Sequence, residues 1–461
     1  MARNEGMECG ANCIKRATIF DQAVEYLPEI AFSVTVLVLV CIRIVEAYGA
    51  FLHGPGRDWN ASEWMIDYAA GFVRRGLGGE ALTVLMRLTG LGFFPVWATA
   101  TTAVYLGLCC YVLHGIFRLG GRAVWRFGLL FNPAMLLFSA ESVPYGSFMR
   151  KDVLFVCATV LNVILAHYAL RGETTSLGIR TRRTTLLLCI AGTLSLALAL
   201  LHEGLFLFCW FPLNLLILGF TLSRLRFRGW FIALLLALSF APSLAATAAA
   251  VRSHGDTRAA QAICLSWHEF SIPTVCKSGN DNFPAAVDAL NWTVADTVSN
   301  SAYAGWRFLG FLAIFALAGA VEIMAIHALV KKASVGHLVA LLVLPFAASL
   351  PIFLFGWDWG RYLFVVMLQT LVVMLSNPLR PAAYCALPAA LRSSAISRLV
   401  PSLEKILTGF SRVVERSPRL FCITLAMLPM PAVPFASAML HANPVVICGM
   451  FLRHFSEMLH P

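Results

Sequence analysis

Runs of about twenty apolar residues, separated by short polar breaks, recur along almost the whole chain. Each run is long enough for one helix to cross the hydrocarbon core of a bilayer. The pattern predicts about eleven spans, near 28–48, 92–117, 124–140, 153–170, 185–201, 204–222, 229–251, 303–330, 335–356, 362–379 and 420–440. The third is short and carries Asn132-Pro133, as a re-entrant segment would. The last contains Pro429, Pro431 and Pro434 and is expected to be kinked or broken. The chain therefore divides into a polar N-terminus (1–27), a transmembrane core (28–379), a basic connector (380–419) and a C-terminal kinked span and tail (420–461).

Composition narrows the class further. Of 461 residues, 59% are apolar or aromatic and only 13% are charged, with a mean hydropathy of +0.76. A soluble domain carries about 25% charged residues, so this chain cannot cover a water-facing surface. Soluble enzymes, disordered proteins and nucleic-acid-binding domains are excluded as whole-chain readings, and an all-α polytopic integral membrane protein remains. The net charge of +11 follows from the positive-inside rule rather than from a nucleic-acid partner. The breaks holding Lys15, Arg118, Arg171, Arg224, Lys331 and the 380–419 connector, with Arg3, carry 22 of the 35 basic residues and seven acids. Eleven spans place all of these on one side, so the N-terminus is expected in the cytoplasm of an inner membrane and the other breaks outside. Polar residues 1–25 give no sign of a cleavable signal. The connector reads as an amphipathic or irregular basic segment drawn to anionic lipid heads.

The exterior breaks, 49–91, 141–152, 202–203, 252–302 and 357–361, carry the specific chemistry. The first holds Asp58, Glu63 and Asp67, then Arg74-Arg75, then an amphipathic run expected to lie on the membrane surface with Leu77, Ala81, Leu82 and Leu85 on one face. The second begins at Glu141 and ends Arg150-Lys151-Asp152. The third is His202-Glu203, and the last holds Asp358 and Arg361 between Trp357, Trp359 and Tyr362. An unpaired charge so near hydrocarbon is costly, so these residues are expected to pair or to line a wet cavity. Alone, each turn would read as a helix cap. Four turns bearing acids and bases on one face read as a site. Guanidinium groups bind phosphate oxygens bidentately, and a carboxylate can act as base toward a hydroxyl. Trp59, Trp64, Trp357 and Trp359 suit either sugar stacking or an interfacial belt.

The 252–302 break contains Cys264 and Cys276, which an oxidising exterior would allow to bridge. It also contains Trp267-His268-Glu269 and Asp281. Asn60-Ala-Ser62 and Asn291-Trp-Thr293 match the glycosylation acceptor pattern, which is short enough to arise by chance. The remaining cysteines are scattered through apolar runs, and none has zinc-site spacing.

With a short N-terminus, one span, an exterior loop of early acids, a surface helix and arginines, and then many spans with charged exterior ends, the layout resembles integral-membrane glycosyltransferases of the GT-C type. It is similar also to bacterial O-antigen polymerases and ligases. The resemblance covers the layout of most of the chain and no diagnostic motif. It implies transfer of a sugar from a polyprenyl (di)phosphate carrier to a saccharide or lipid acceptor at the periplasmic face. It further implies Asp58, with Glu63 and Asp67 as rivals, as base or metal-site acid, and Arg74, Arg75, Arg150 and Arg361 as phosphate ligands. Lys151 beside Arg150 joins the phosphate-binding set. His202 and Glu203 are candidate catalytic groups, and Glu141, Asp152 and Asp358 complete the site. No cofactor is required by this reading; a divalent metal is compatible with it, but no ligand spacing calls for one. The rival expectation is a transporter or flippase for a lipid-linked saccharide, which would place ionisable groups near the bilayer midplane. Only Glu322 and Glu46 lie deep in a span, the latter with Arg43 one turn before it.

Overall fold

The computed structural model describes residues 25–52, 59–132, 135, 149–171, 177–270, 272, 285–291, 295, 307–330, 333–355, 359–387, 389, 397–427, 430–431 and 440–441. These residues are almost wholly helical; Met430–Pro431 and Leu440–His441 form a two-residue antiparallel ladder. Among the described residues, seven helices are long and apolar enough to cross a membrane, and a helix pair bent by 110° makes an eighth. The seven are α1 (Leu27–Leu52), α4 (Phe93–Leu119), α6 (Asp152–Leu170), α7 (Leu177–Leu201), α8 (Phe211–Arg224, entered through the π-turn Leu205–Trp210), α9 (Gly229–Arg252) and α11 (Arg307–Leu329). The bent pair joins α13 (Trp359–Leu375) to α14 (Ala382–Ala386).

Among the described residues, four of the expected spans do not appear as single long helices. The third begins as the eight-residue α5 (Ala123–Leu130), and the ninth is the fifteen-residue α12 (Val335–Ser349) followed by the turn Ile352–Phe355. The tenth is the bent pair. The eleventh contributes α16 (Pro418–Met427), and Pro429 and Pro434 beyond it lie outside the described residues. Hydropathy registers how apolar a run is, whereas a helix ends where Pro or Gly breaks the backbone ladder.

The long helices run between the two ends of a bundle. At one end, Arg126 pairs with Glu29 at the start of α1 (2.6 Å), and Arg183 lies over the Tyr168 ring beside the end of α6. At the other end, the short α2 (Trp59–Trp64), α3 (Leu77–Thr89) and α10 (Thr257–Ser266) form a cap. Trp267 donates to the Met65 carbonyl (2.6 Å), Arg74 N–H to Ser253 (3.1 Å) and Ala286 N–H to the Ser62 hydroxyl (3.0 Å). Cys264, buried in this cap, is disulfide-bonded; Cys276 lies outside the described residues, as does Asp281. Asn60 is buried, so its acceptor pattern is closed to modification.

The amphipathic run does form a helix, ended by Gly90, whose φ of +68° suits a left-handed cap. One of its faces packs inward. Gly78, Gly79, Leu82 and Met86 are buried, while Ala81, Val84, Leu85 and Leu88 are exposed. The glycines allow that closer approach: a Cβ on Gly79 would lie 2.3 Å from the Ile66 carbonyl oxygen. In the connector, α15 (Ser397–Arg416) buries Leu407 and Val414 and exposes Leu399, Ile406 and Val413.

Candidate functional site

The charged side chains from four separate breaks meet beneath the cap. Glu63 comes from the last turn of α2, and Arg75 from the loop before α3. Lys151 and Asp152 open α6, Glu203 sits at the reversal between α7 and the π-turn, and Arg361 lies in the first turn of α13. Arg150 Nε donates to Glu63 Oε2 (3.2 Å), and Arg361 Nη2 stands 3.6 Å from Glu63 Oε1. Arg361 also grips Asp152 with both arms of its guanidinium, Nη2 to Oδ1 at 2.7 Å and Nε to Oδ2. Arg75 spans both oxygens of Glu203 at 3.3 and 3.4 Å. Lys151 Nζ donates to the Arg75 carbonyl (3.0 Å) and lies 5.6 Å from the Trp64 ring centre. Glu63, Arg150, Lys151, Asp152, His202 and Arg361 are all buried.

Local sequence explains the placement. Arg75 adopts φ +66°, a region that costs a non-glycine residue about 1–3 kcal/mol and that occurs where surrounding contacts fix it. Gly76 then packs against the Tyr68 ring, and Gly78 lies against Lys151, where a Cβ would approach Cε to 2.6 Å and Nζ to 2.8 Å. The GLGG run of 76–79 is thus a close-approach surface. Trp64 and Trp97 both donate to the Met149 carbonyl (2.8 and 3.2 Å), which anchors the residues that lead into Arg150. Trp64 is an interior strut rather than part of a lipid-facing belt. Trp357 and the Trp359 side chain lie outside the described residues.

Electrostatics sorts the acids. Burial opposes ionisation of Glu63, but Arg150 and Arg361, then Lys151 and Arg75, outweigh it and hold its carboxyl down at about 2. Glu203 is likewise below its ordinary range, with Arg75 and Arg74 overcoming burial. Groups so acidic are weak bases near neutrality and serve better as counterions. Burial, then the neighbouring cations, keep His202 well below its usual value, so the ring is neutral. Its Nδ1 accepts from Leu205 N–H (3.4 Å), which leaves the proton on Nε2 and makes the ring a donor. Burial pulls Lys151 down to about 8, with Glu63 opposing.

Two expected members stand apart. Asp67 accepts from Ala69 N–H (2.9 Å) and from the Ser266 hydroxyl (2.7 Å), tying the loop to α10. Burial raises its carboxyl despite those bonds. Arg74 spends Nη2 on the Ala289 carbonyl (2.7 Å). Asp58, Glu141 and Asp358 lie outside the described residues. Among the described residues, no group of three His, Cys, Asp or Glu side chains could hold a metal.

Deeper in the bundle lies a polar row that the sequence reading missed. Asn214 Nδ2 donates to Thr159 (3.1 Å), Thr159 to Gln369 (3.0 Å) and Asn162 to Asn214 (2.9 Å), joining α6, α8 and α13. All four are fully buried. Each residue alone is unremarked in hydropathy; only their coincidence across three helices signals them. Glu322 is also buried with both oxygens unsatisfied, whereas Glu46 pairs with Arg43 at 2.6 Å.

The chain matches no protein-family model, no curated protein and no solved structure.

Proposed function

We propose that the protein is a membrane glycosyltransferase or polysaccharide polymerase that uses a polyprenyl-(di)phosphate-linked sugar at the periplasmic face. The observation that carries this reading is the convergence of Arg75, Arg150, Lys151 and Arg361, with Arg74 close by, in one buried cluster at one end of the bundle. Among the described residues, cations outnumber carboxylates there four to three. Phosphate is the ligand that such a guanidinium-rich, water-poor site suits best. During transfer, the same cations would neutralise charge building on the departing phosphate. Glu63, Asp152 and Glu203 hold the cations in place, and the GT-C likeness assigns the base to Asp58, with inversion at the sugar carbon.

Orientation rests on the basic residues Arg118, Arg122, Arg171, Arg180, Arg224 and Arg228, which stand at the end away from the cluster. That end is read as cytoplasmic, in an inner membrane. The reading takes the chain across eleven times, counting the short segments α5, α12, the bent pair and α16. The bilayer, the lipid-linked donor and a saccharide or lipid acceptor are its partners. The GT-C likeness extends to α3 as an outer-face juxtamembrane helix.

A second reading, a transporter or flippase for a lipid-linked saccharide, is favoured by the polar row Thr159–Asn214–Asn162–Gln369 and by Glu322. One experiment separates them. In a strain lacking the gene, Asp58→Asn, Arg75→Gln and Arg361→Gln are tested for surface glycan and for the side on which lipid-linked saccharide accumulates. Loss of glycan with saccharide on the outer leaflet supports transfer. Accumulation on the cytoplasmic side supports transport, and full activity of all three variants refutes both.

A further inference from the structure

We infer that the end of the bundle opposite the charge cluster carries a second anion site, a pocket for a phosphate-bearing headgroup. A cavity of about 430 Å³ opens where the ends of α6 and α8 meet the bend after α13. Arg171 and Arg224 enter it from two different helices, beside His167 and Asn377, and Leu170 and Phe220 supply apolar wall. Among the described residues, no carboxylate lines it.

Arginine at a helix C-terminus is ordinarily explained by the helix dipole. That explanation covers each residue separately but not their meeting in one concavity. The walls are also fixed independently of any ligand. His167 Nε2 and the Ser376 hydroxyl are 2.6 Å apart, and Arg380 clamps the bend through the Met374 carbonyl (2.5 Å) and Asn377 Oδ1 (3.0 Å). Arg226, at φ +63°, sets the turn that ends α8 just past Arg224. Two guanidinium groups beside apolar wall suit an amphiphile with an anionic head. The volume accommodates a phosphodiester and its first methylenes. The shared chemistry is phosphate, supplied either by an anionic lipid or as the free ion.

The test uses the full chain, purified in mild detergent, with retained lipid read by native mass spectrometry. Phosphatidylglycerol is titrated in, with phosphatidylcholine as the neutral control. Wild type should retain phosphatidylglycerol, and Arg171→Gln/Arg224→Gln should lose about tenfold in apparent affinity. Leu170→Trp keeps both charges but fills the cavity, and it should lose a similar amount. Gel filtration confirms that each variant is folded. Inorganic phosphate that binds wild type in lipid-free detergent, and loses affinity in the same variants, assigns the free ion as the source. Equal retention by wild type and the double variant, with equal phosphate response, overturns the site. Full retention by Leu170→Trp overturns it too, because general charge attraction would then suffice.

Discussion

Replacing Arg361 with Gln is the most informative single perturbation of the cluster. Its guanidinium closes on both oxygens of Asp152 and reaches Glu63 at 3.6 Å, and both Arg361 and Asp152 are about fully buried. Glutamine keeps much of the volume and removes the charge, leaving Asp152 without the cation that contacts it. Breaking a buried pair from one side costs about 3–5 kcal/mol, most of it the stranded charge. Asp152→Asn should also be destabilising, by removing the carboxylate that both arms of Arg361 hold. The double variant pairs two neutral amides, so its cost should fall short of the sum by at least about 2 kcal/mol. Equilibrium unfolding in mixed micelles, followed by tryptophan fluorescence, measures all three. Strict additivity, or a single-variant cost below about 0.5 kcal/mol, would refute the reasoning, because an ion pair open to water behaves that way.

The paired glycines separate folding from chemistry. Gly79→Ala meets a backbone carbonyl at 2.3 Å and should destabilise by about 1–3 kcal/mol. Gly78→Ala displaces only the flexible end of Lys151 and should spare thermal stability while lowering glycan output; equal melting losses in the two would contradict this. Lys151, held at about 8 instead of 10.5, keeps its charge at neutral pH and loses it as pH rises through about 8. Phosphate binding should therefore weaken between about pH 7 and about pH 9. Ligand-free stability should move oppositely, rising from about 8 toward 10.5, where the unfolded lysine still binds a proton. A flat binding profile over that range would contradict the role of Lys151. Asp67→Asn should hold surface glycan within about twofold, and Glu63→Gln should abolish it, since Asp67 bonds Ala69 and Ser266 while Glu63 bridges two arginines.

Much of this arrangement was legible in the chain. Hydropathy located the long helices, since a run such as 229–251 admits no other fate in water-free surroundings. Same-side bookkeeping put Glu63, Arg75, Arg150, Lys151, Asp152, Glu203 and Arg361 in one group together with Asp67 and Arg74, and only the distances separate the last two. The distinction between counterion and base was not legible. Glu63 and Asp67 look equivalent four residues apart, and only the distances to Arg150 and Ser266 divide them. The packing of α3 through Gly78 and Gly79 was not legible, because hydropathy carries no signal for the close approach that glycine allows. The polar row around Asn214 stayed hidden because its members belong to three helices whose contacts sequence alone does not give.

The central claim is that the buried cluster holds a lipid-borne phosphate. A density map of the protein in lipid nanodiscs loaded with polyprenyl phosphate tests it directly. The account predicts phosphate density within about 3–4 Å of Arg75, Arg150, Lys151 or Arg361. Well-resolved side chains there, paired as in the ligand-free protein and with the phosphate bound elsewhere, would contradict it.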